Sequence, residues 1–372
     1  MSSSARPLLF EERSAETPLF SVCIPQYSRF PFLIAALETL RDQTERSFEV
    51  CISDDVSPEG RHEDVVAFLR AARIPFGYVV QQHNLRYDGN LRAAMALARG
   101  RFCLLMGNDD ALADARTLER YAELIRANAP LGVVITDFAD YVTGERAGRI
   151  QRTARYDGDA QVALQHFRNF SFVSGILLDR AAAHREATTR WDGSEMYQMY
   201  IGCRLIATGH ALLEIAEPMV RKDIRIPNES VDSYARRPRE SSFKRRELPF
   251  NRLGALLYDA IEPALAKDGL QRAIRSIFGQ ILAITYPYWL LEYRRVQPWG
   301  YAVGVARGMA PARILKEVPA SGATRLFVRT LYTAATIAAL AMPQVLFARA
   351  RATLYRFVKR PGRAGEATAR AV

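Results

Sequence analysis

Cysteine and histidine are scarce in this sequence, and neither residue is spaced as a metal site requires. The 372 residues include four cysteines and five histidines. Three of the cysteines lie inside short apolar runs, where cysteine usually packs as a small buried hydrophobe. This pattern argues against a disulfide-stapled scaffold and favours a reducing cytoplasm.

Several recognisable motifs are missing as well. No GxSxG, Walker or HExxH pattern occurs in the sequence, which argues against the enzyme classes built on those motifs. The first 18 residues contain no apolar stretch typical of a secretory signal. We therefore expect residues 1–18 to form a flexible N-terminal arm.

Positive charge is abundant and unevenly distributed, with a formal net charge of +11. Residues 221–246 hold nine basic and four acidic residues, and residues 349–372 hold seven basic residues and one acidic residue. Patches of this kind suit anionic partners such as a membrane surface, phosphates or nucleic acid. A solubilising surface is the alternative interpretation.

Two short apolar runs each end in a pair of adjacent aspartates. The first pair is Asp54 and Asp55, and the second is Asp109 and Asp110. Both runs have the continuous apolar character of buried parallel strands, and ligands bind at the carboxyl ends of such strands in open α/β sheets. Adjacent anions repel each other unless a cation or hydrogen-bond donors neutralise them. The two pairs therefore predict a metal-dependent site for a polar ligand.

Strand and helix patterns alternate between residues 19 and 136, which predicts βαβ units and a mainly parallel sheet. We predict strands at residues 19–24, 48–53, 76–80, 101–106 and 131–136, and helices at 31–41, 63–72, 88–99 and 117–128. Beyond residue 137 the signal weakens to a loop at 141–159, a strand-like run at 170–178 and a helix at 196–208. We expect one α/β domain over residues 19–220, a basic loop or linker over 221–250, and a helical C-terminal region over 251–372.

Residues 330–348 form an uncharged window of 19 residues bracketed by arginines, just long enough to cross a bilayer. Pro343 and Gln344 weaken the prediction of a single span. A helix lying in the membrane interface, with the basic tail facing anionic lipid, is the favoured interpretation. A helix packed within a soluble domain is the third interpretation.

Four segments carry polar residues in a distinctive order: SVCIPQYSR at 21–29, CISDDVS at 51–57, NLRYDGN at 84–90 and LMGNDD at 105–110. Together they resemble the family 2 glycosyltransferases, and among them the abequosyltransferase-like enzymes of bacterial O-antigen and surface polysaccharide synthesis. The resemblance covers roughly residues 19–215. It implies the GT-A fold, a Rossmann-like, mainly parallel sheet flanked by helices, followed here by the helical C-terminal region.

The resemblance also implies contacts to a nucleotide-diphosphate sugar from eight positions: Pro25, Tyr27, Arg29, Asp54, Asp55, Asn90, Asn108 and Asp109. Carboxylates such as Asp54 and Asp55 accept hydrogen bonds from a ribose hydroxyl or a base N–H. Tyr27 offers an aromatic surface and Arg29 a partner for phosphate, with loop packing as the alternative for both. Asn90 either faces the nucleotide or only caps its helix.

The segment at 107–110 occupies the place of the family's DXD metal motif. A hard divalent cation, Mg²⁺ or Mn²⁺, bridges carboxylate and phosphate oxygens in such sites, and Asp109 and Asp110 are the expected metal ligands. Gly107 and Asn108 stand where acidic residues are usual, so this motif offers fewer carboxylates. A helix cap or solvated turn is the alternative role for the pair.

Inverting transfer needs a carboxylate that takes a proton from the acceptor hydroxyl. In the family this base usually lies at the start of a helix well after the metal motif, and Glu195 and Asp192 precede the helix predicted at 196–208. Glu195 is the favoured candidate, Asp192 the second, and a carboxylate that only stabilises the helix dipole is the alternative. Ser174 and Gly175 are candidates for the acceptor floor, with a bulge or packing contact as the alternative.

The resemblance therefore implies an inverting hexosyl- or deoxyhexosyltransferase that uses a nucleotide-diphosphate sugar. Its acceptor would be a glycan in lipid-linked form at the cytoplasmic face of the inner membrane, with the enzyme bound peripherally. Two alternatives are a sugar-phosphate nucleotidyltransferase, disfavoured by the absence of glycine in residues 25–29, and a polyanion-binding protein. No recognised nucleic-acid motif is present, so nucleic acid is not an expected partner.

Overall fold

A central β-sheet with helices on both faces forms the N-terminal two thirds of the described chain. The computed structural model describes residues 7–229, 251–359 and 370–371. The strands are β1 (Leu8–Glu12), β2 (Phe20–Gln26), β3 (Phe48–Asp54), β4 (Phe76–Val80), β5 (Phe102–Leu105), β6 (Ala111–Leu112), β7 (Val133–Asp140), β8 (Ala154–Tyr156), β9 (Ile176–Asp179), β10 (Leu212–Lys222) and β11 (Arg370–Ala371). Their order in the sheet is β1-β4-β3-β2-β5-β9-β7-β10-β8-β11, with β6 beside β10.

Helices follow most of the parallel strands and then fill the C-terminal region. They are α1 (Phe30–Arg41), α2 (His62–Ala71), α3 (Arg86–Ala96), α4 (Thr117–Asn128), α5 (Ala160–His166), α6 (Arg180–Arg185), α7 (Tyr197–Ala207), α8 (Leu253–Ile261), α9 (Leu270–Gln280), α10 (Tyr286–Val296), α11 (Trp299–Gly308), α12 (Pro311–Ile314), α13 (Gly322–Ala341) and α14 (Gln344–Lys359). The α/β class and the helical C-terminal region predicted from the sequence are confirmed.

The sheet is built from two kinds of strand pairing. The strands β4, β3, β2 and β5 run parallel to one another, as the alternating pattern predicts. Beyond them the sheet is mixed, because β9 runs antiparallel to both β5 and β7. Apolar periodicity reports which strands are buried and not the direction in which they run, so the sequence did not reveal this reversal.

Alternate side chains of each central strand point to opposite faces of the sheet, as the two-residue period of a strand requires. Val22 and Val50 join one apolar core and Cys23 and Cys51 the other. The first core lies under α1, α2 and α4, and the second under α3, α5, α7 and the C-terminal helices. All four cysteines are free and buried, which confirms the prediction made for the three that lie in apolar runs.

Three local predictions are wrong. Residues 8–12, expected within a flexible arm, form strand β1, which pairs with the otherwise open edge of β4. The run at 170–178 is divided into a 3-10 turn at Phe167–Ser171 and strand β9, because Gly175 between them takes a left-handed φ of 82°. The polar segment at 141–159 contains strand β8.

The uncharged window at 330–348 is not one helix. Helix α13 ends at Ala341, and α14 begins after Pro343, which cannot continue a helix. Among the described residues no single helix is long and apolar enough to cross a membrane. The segments Gly322–Ala341 and Gln344–Arg351 meet that criterion only as a pair, and the chain bends by 100° between them. The greater part of the predicted linker at 221–250 lies outside the described residues, apart from its start, where β10 continues to Lys222.

Candidate active site

The parallel strands bring three of the sequence motifs to one edge of the sheet. Gln26, the last residue of β2, is in register with Asp54, the last residue of β3. The 107–110 motif follows β5, which pairs with the other side of β2. Because the carboxyl ends of these strands lie side by side, the residues predicted to bind the donor surround a common space.

Asp54 and Asp55 lie at this edge and are both buried. The carboxylate of Asp54 accepts hydrogen bonds from the Tyr78 hydroxyl (2.7 Å) and from the backbone N–H of Ser57 (2.8 Å). Asp55 accepts from the backbone N–H of Leu85 at the start of α3 (2.5 Å). Burial raises the pKa of Asp55 to about 6, against the opposing effect of the backbone N–H groups that it accepts from. Asp54 therefore orders its own loop, and Asp55 connects β3 to α3.

The segment from Pro25 to Arg29 closes one side of the same space. Pro25 is half-buried and Tyr27 is exposed, so the aromatic ring of Tyr27 is open to contact. Ser28 and Arg29 both have left-handed backbone conformations, with φ values of 54° and 61°. This tight turn directs the Arg29 side chain back toward the 107–110 motif.

Arg29 and Asp109 form an ion pair with 2.6 Å between Nη1 and Oδ2. The guanidinium also lies over the Phe32 ring, 4.1 Å from its centre. A planar guanidinium is suited to carboxylate and phosphate alike. The site thus already holds one cation next to the aspartate expected to bind metal.

Asn90 and Asn108 extend the polar lining on either side of β2. The amide of Asn108 donates to Gln26 Oε1 at 2.8 Å, and the amide of Asn90 donates to the Gln26 carbonyl at 3.1 Å. The Oδ1 atom of Asn90 is buried and has no hydrogen-bond partner among the described residues. A buried acceptor without a protein partner is expected to accept a hydrogen bond from a water or a ligand.

Asp110 points into the protein below Asp109. One of its oxygens accepts from the hydroxyl of Ser174, and the other accepts from the backbone N–H of Asp223 at 3.1 Å. Ser174 Oγ in turn accepts from the backbone N–H of Gly107 at 2.8 Å. Burial, followed by the charge of Asp109, raises the pKa of Asp110 to about 7.

The predicted role of Ser174 and Gly175 in the acceptor floor is therefore not supported by their surroundings. Both residues are buried, and the Ser174 hydroxyl serves Asp110 and Gly107. A Cβ on Gly175 would lie 2.4 Å from Thr136 Oγ1, so this glycine permits close packing between β9 and β7. Gly175 was predicted to let a sugar approach the backbone, because a sequence does not show which atoms already fill the space beside a glycine.

The carboxylates present suit a divalent cation held jointly with phosphate. The described residues contain no group of three or more His, Cys, Asp and Glu side chains able to hold a metal. Yet a Cβ on Gly107 would lie 3.0 Å from Asp110 Oδ2 and 3.1 Å from Asp109 Oδ1, so glycine leaves a space between the two carboxylates. Mg²⁺ is commonly bound through one or two carboxylates together with substrate phosphates. The residues thus fit a metal that arrives with the donor better than one held by protein alone.

The two candidates for the catalytic base have different surroundings. Asp192 forms a bidentate ion pair with Arg92 of α3, with 2.8 Å between Nη2 and Oδ2. Glu195 is half-buried just before α7 and has a left-handed φ of 58°. Such a backbone conformation is costly for a residue with a side chain, and it persists where neighbouring contacts impose it.

Asp88 imposes that conformation, a role that sequence reasoning missed. Its buried carboxylate accepts from the backbone N–H groups of Glu195 (2.8 Å) and Tyr197 (3.0 Å). Burial raises the pKa of Asp88 to about 6. Since α3 also carries Asn90, which contacts Gln26, and Arg92, which contacts Asp192, one helix connects β2 to the Glu195 turn. The Asp88-Gly-Asn turn signal marked this position, but its partners lie far away in sequence.

Arg149 is a second residue that sequence reasoning missed. Its buried guanidinium donates to the carbonyl oxygens of Thr136 (2.6 Å), Asn169 (2.8 Å), Phe172 (2.9 Å) and Ser174 (2.9 Å). Burial lowers its pKa to about 10. These bonds fix the irregular segment that carries Ser174 under Asp110. An isolated arginine in a polar segment gives no sequence signal of such a role.

Comparisons with known proteins relate part of this chain to a family. Residues 21–184 match the model of glycosyl transferase family 2. Over 97 residues, 26% of this chain and 29% of the other, the sequence is 36% identical to abequosyltransferase RfbV of Salmonella typhimurium. Over 187 residues, 50% of this chain and 20% of the other, it is 24% identical to the uncharacterized protein y4gI of Sinorhizobium fredii. The chain thus spans less than a third of the length of these curated relatives.

Solved structures agree at the level of the fold. S. aureus TarS residues 1–349, in complex with UDP-GlcNAc, superposes with a TM-score of 0.61 at 15% identity, covering 91% of this chain and 90% of that chain. The same TarS fragment in complex with UDP gives a TM-score of 0.57 at 15% identity, covering 86% of this chain and 90% of that chain. Residues 21–184 therefore match the glycosyl transferase family 2 model, and the fold of the chain resembles that of the TarS structures.

Proposed function

We propose that this protein is an inverting glycosyltransferase that moves a hexose or deoxyhexose from a nucleotide-diphosphate donor to a glycan acceptor. The observation that carries the proposal is the group formed by Arg29, Asn90, Asp109 and Asp110 at the carboxyl ends of β2, β3 and β5. It combines a guanidinium, an unpartnered buried acceptor and two carboxylates within a family 2 domain. Few ligands other than a sugar diphosphate would use all three.

The donor would lie across this edge of the sheet. Tyr27 offers its exposed ring to the base, and Asp55 and the Oδ1 atom of Asn90 accept from donor hydroxyl or N–H groups. The Arg29 guanidinium faces the diphosphate and neutralises charge as it leaves. The TarS structure cited above contains UDP-GlcNAc, which supports a nucleotide sugar as the donor class.

A Mg²⁺ or Mn²⁺ ion would be held by Asp109, with Asp110 behind it, and by donor phosphates. When bound, such an ion stabilises charge on a departing diphosphate. The protein's own part is to keep Asp109 next to Arg29 and to leave the space beside Gly107 open.

Glu195 is the proposed base. Its carboxylate takes the proton of the acceptor hydroxyl while that oxygen forms a bond to the anomeric carbon of the sugar. The bond between this carbon and the diphosphate oxygen breaks at the same time, and the diphosphate leaves with the electron pair. Asp192 is disfavoured because its carboxylate is held by Arg92.

The acceptor is proposed to be a lipid-linked glycan of bacterial surface polysaccharide synthesis, used at the cytoplasmic face of the inner membrane by a peripherally bound enzyme. The partial match to abequosyltransferase RfbV supports a sugar or glycan acceptor. The basic C-terminal region supports a nearby anionic membrane.

The test is hydrolysis and transfer with UDP-, GDP-, dTDP- and CDP-sugars, each with and without Mn²⁺. Asp109→Ala should abolish both reactions. Glu195→Gln should abolish transfer while donor binding persists, whereas Asp192→Asn should retain a larger share of transfer. Full transfer activity in both Asp109→Ala and Glu195→Gln would refute the assignment.

A further inference from the structure

The bend between α13 and α14 exposes apolar side chains. Ile337 is 63% exposed shortly before the bend, and Val345 and Leu346 are 65% and 55% exposed directly after it. Large apolar side chains that cluster on a surface usually mark a contact site. The question is which partner covers this one.

The outer face of α13 continues the apolar surface away from the bend. Leu326, Thr330, Thr333, Ile337 and Ala341 are all exposed and recur at spacings of three and four residues. They form one uncharged stripe along the helix. The opposite stripe is buried against the rest of the C-terminal region.

Trp299 lies beside the same bend. Arg294 donates to the carbonyl oxygens of Ala339 (2.6 Å) and Met342 (2.9 Å), and its guanidinium lies 4.9 Å from the centre of the Trp299 ring. The tryptophan is 53% exposed. Tryptophan, with an apolar ring and one polar N–H, is enriched where protein meets the membrane–water interface.

Positive charge surrounds these apolar groups. Residues 286–351 contain nine basic and two acidic residues. Glu292 is paired with Arg295 and Arg351, and Glu317 is paired with Arg190. Both negative charges are therefore already engaged, while Arg325, Arg329 and Arg349 are exposed around the apolar stripe and bend.

We infer that this docking surface, formed by Leu326, Ile337, Val345, Leu346 and Trp299 with Arg325, Arg329 and Arg349, binds an anionic phospholipid surface. The apolar side chains enter the interface and the arginines meet phosphate head groups. The bend of 100° between the helices favours lying on the interface over crossing it. The inference deepens the proposed function, on which it rests for the membrane-linked acceptor.

The test measures co-sedimentation of the full chain with vesicles. Binding is expected to vesicles of phosphatidylcholine mixed with phosphatidylglycerol, and not to phosphatidylcholine alone. The double variant Val345→Glu with Leu346→Glu should bind at least about tenfold more weakly, because each buried apolar side chain contributes to interfacial affinity. Val142→Glu is the matched control, an exposed valine in the sheet domain, and should bind like wild type.

A second variant separates the contribution of charge. Arg325→Gln with Arg329→Gln should weaken binding about tenfold or more at low salt, and the loss should shrink as salt rises. Equal vesicle binding by wild type and the double glutamate variant would overturn the inference. A wild-type dimer that this variant converts to a monomer would also overturn it, because a second copy would then cover the surface.

Failure of this inference and failure of the proposed function give different results. Donor hydrolysis without an acceptor uses only the sheet domain, so the double glutamate variant should retain it. Vesicle binding by a protein that hydrolyses no nucleotide sugar would leave the docking surface intact and refute the proposed chemistry. Hydrolysis of a nucleotide sugar without vesicle binding would support the proposed chemistry and refute the docking surface.

Discussion

Asp88 provides the sharpest test of how the fold prepares the proposed base. Its side chain is 1% exposed, and its two oxygens each accept one backbone N–H, from Glu195 and from Tyr197. Asparagine has the same shape but only one acceptor oxygen, and its NH₂ group would face the second N–H. In Asp88→Asn the Glu195 turn therefore loses one of its two anchors.

We expect kcat for transfer to fall about 10- to 100-fold, because a small misplacement of a catalytic group has an effect of this size. The KM for the donor should stay near its wild-type value, because Asn90 and Asp55, the proposed donor contacts, are unchanged. Asp88→Ala removes both anchors and should lower kcat further. A merely structural role would change stability without this separation between kcat and KM.

The stability of the same variant should depend on pH in a defined direction. Burial raises the pKa of Asp88 from an ordinary 3.8 to about 6. Because the folded-state pKa lies above the unfolded one, the stabilising contribution is fully present below 3.8 and is lost as pH rises through about 6. Between about pH 5 and about pH 7.5 the wild type should lose on the order of 1 kcal/mol of stability through this group.

Asparagine does not titrate, so urea unfolding of Asp88→Asn and wild type across this pH range isolates the effect. The difference in unfolding free energy should shift by on the order of 1 kcal/mol in favour of the variant as pH rises. Val142→Ala, at an exposed position that carries no titratable group, is the control and should leave the pH dependence of the wild type unchanged. A flat difference would refute the argument from burial, and an unchanged kcat in folded Asp88→Asn would refute the positioning role.

Three further predictions concern the metal site and its support. Gly107→Ala should keep the fold but raise both the KM for the donor and the Mn²⁺ concentration required, because the added Cβ would lie 3.0 and 3.1 Å from carboxylate oxygens. Gly300→Ala is the control and should change neither value, because the space around Gly300 is open. Burial raises the pKa of Asp110 to about 7, so the Mn²⁺ concentration for half-maximal hydrolysis should fall as pH rises through about 7, and a pH-independent value would contradict this. Arg149→Met should lower the unfolding free energy by more than about 3 kcal/mol in urea titrations, because it leaves buried carbonyl oxygens unpaired, while the exposed control Arg152→Met should change it little.

The regular part of the fold followed closely from the sequence. Strands β2, β3, β4 and β5 and helices α1 and α4 begin and end within two residues of the predicted bounds. These elements are buried by their own apolar periodicity, which local sequence reports directly. The edge strand β1 was missed because exposed strands carry no such pattern, and β9 was misread because a glycine interrupts it.

The sequence also placed polar residues at the ends of strands, and this alone indicated the donor side of the site. It could not distinguish Asp54, whose oxygens are engaged by Tyr78 and Ser57, from Asp109, which faces Arg29. The carboxyl end of a strand can be predicted from the local sequence. The partner that neutralises a carboxylate comes from a distant segment, so the local sequence does not reveal it.

What the sequence determined by itself was the alternation of strands and helices over residues 19–136 and the carboxylates at the sheet edge. Only the tertiary structure decided which groups act together. Arg29 meets Asp109 across 80 positions, Ser174 meets Asp110 across 64, and Asp88 meets Glu195 across 107. Periodicity extends over a few residues and fixes local structure, whereas these contacts exist only because the sheet and its helices bring distant segments within hydrogen-bond distance.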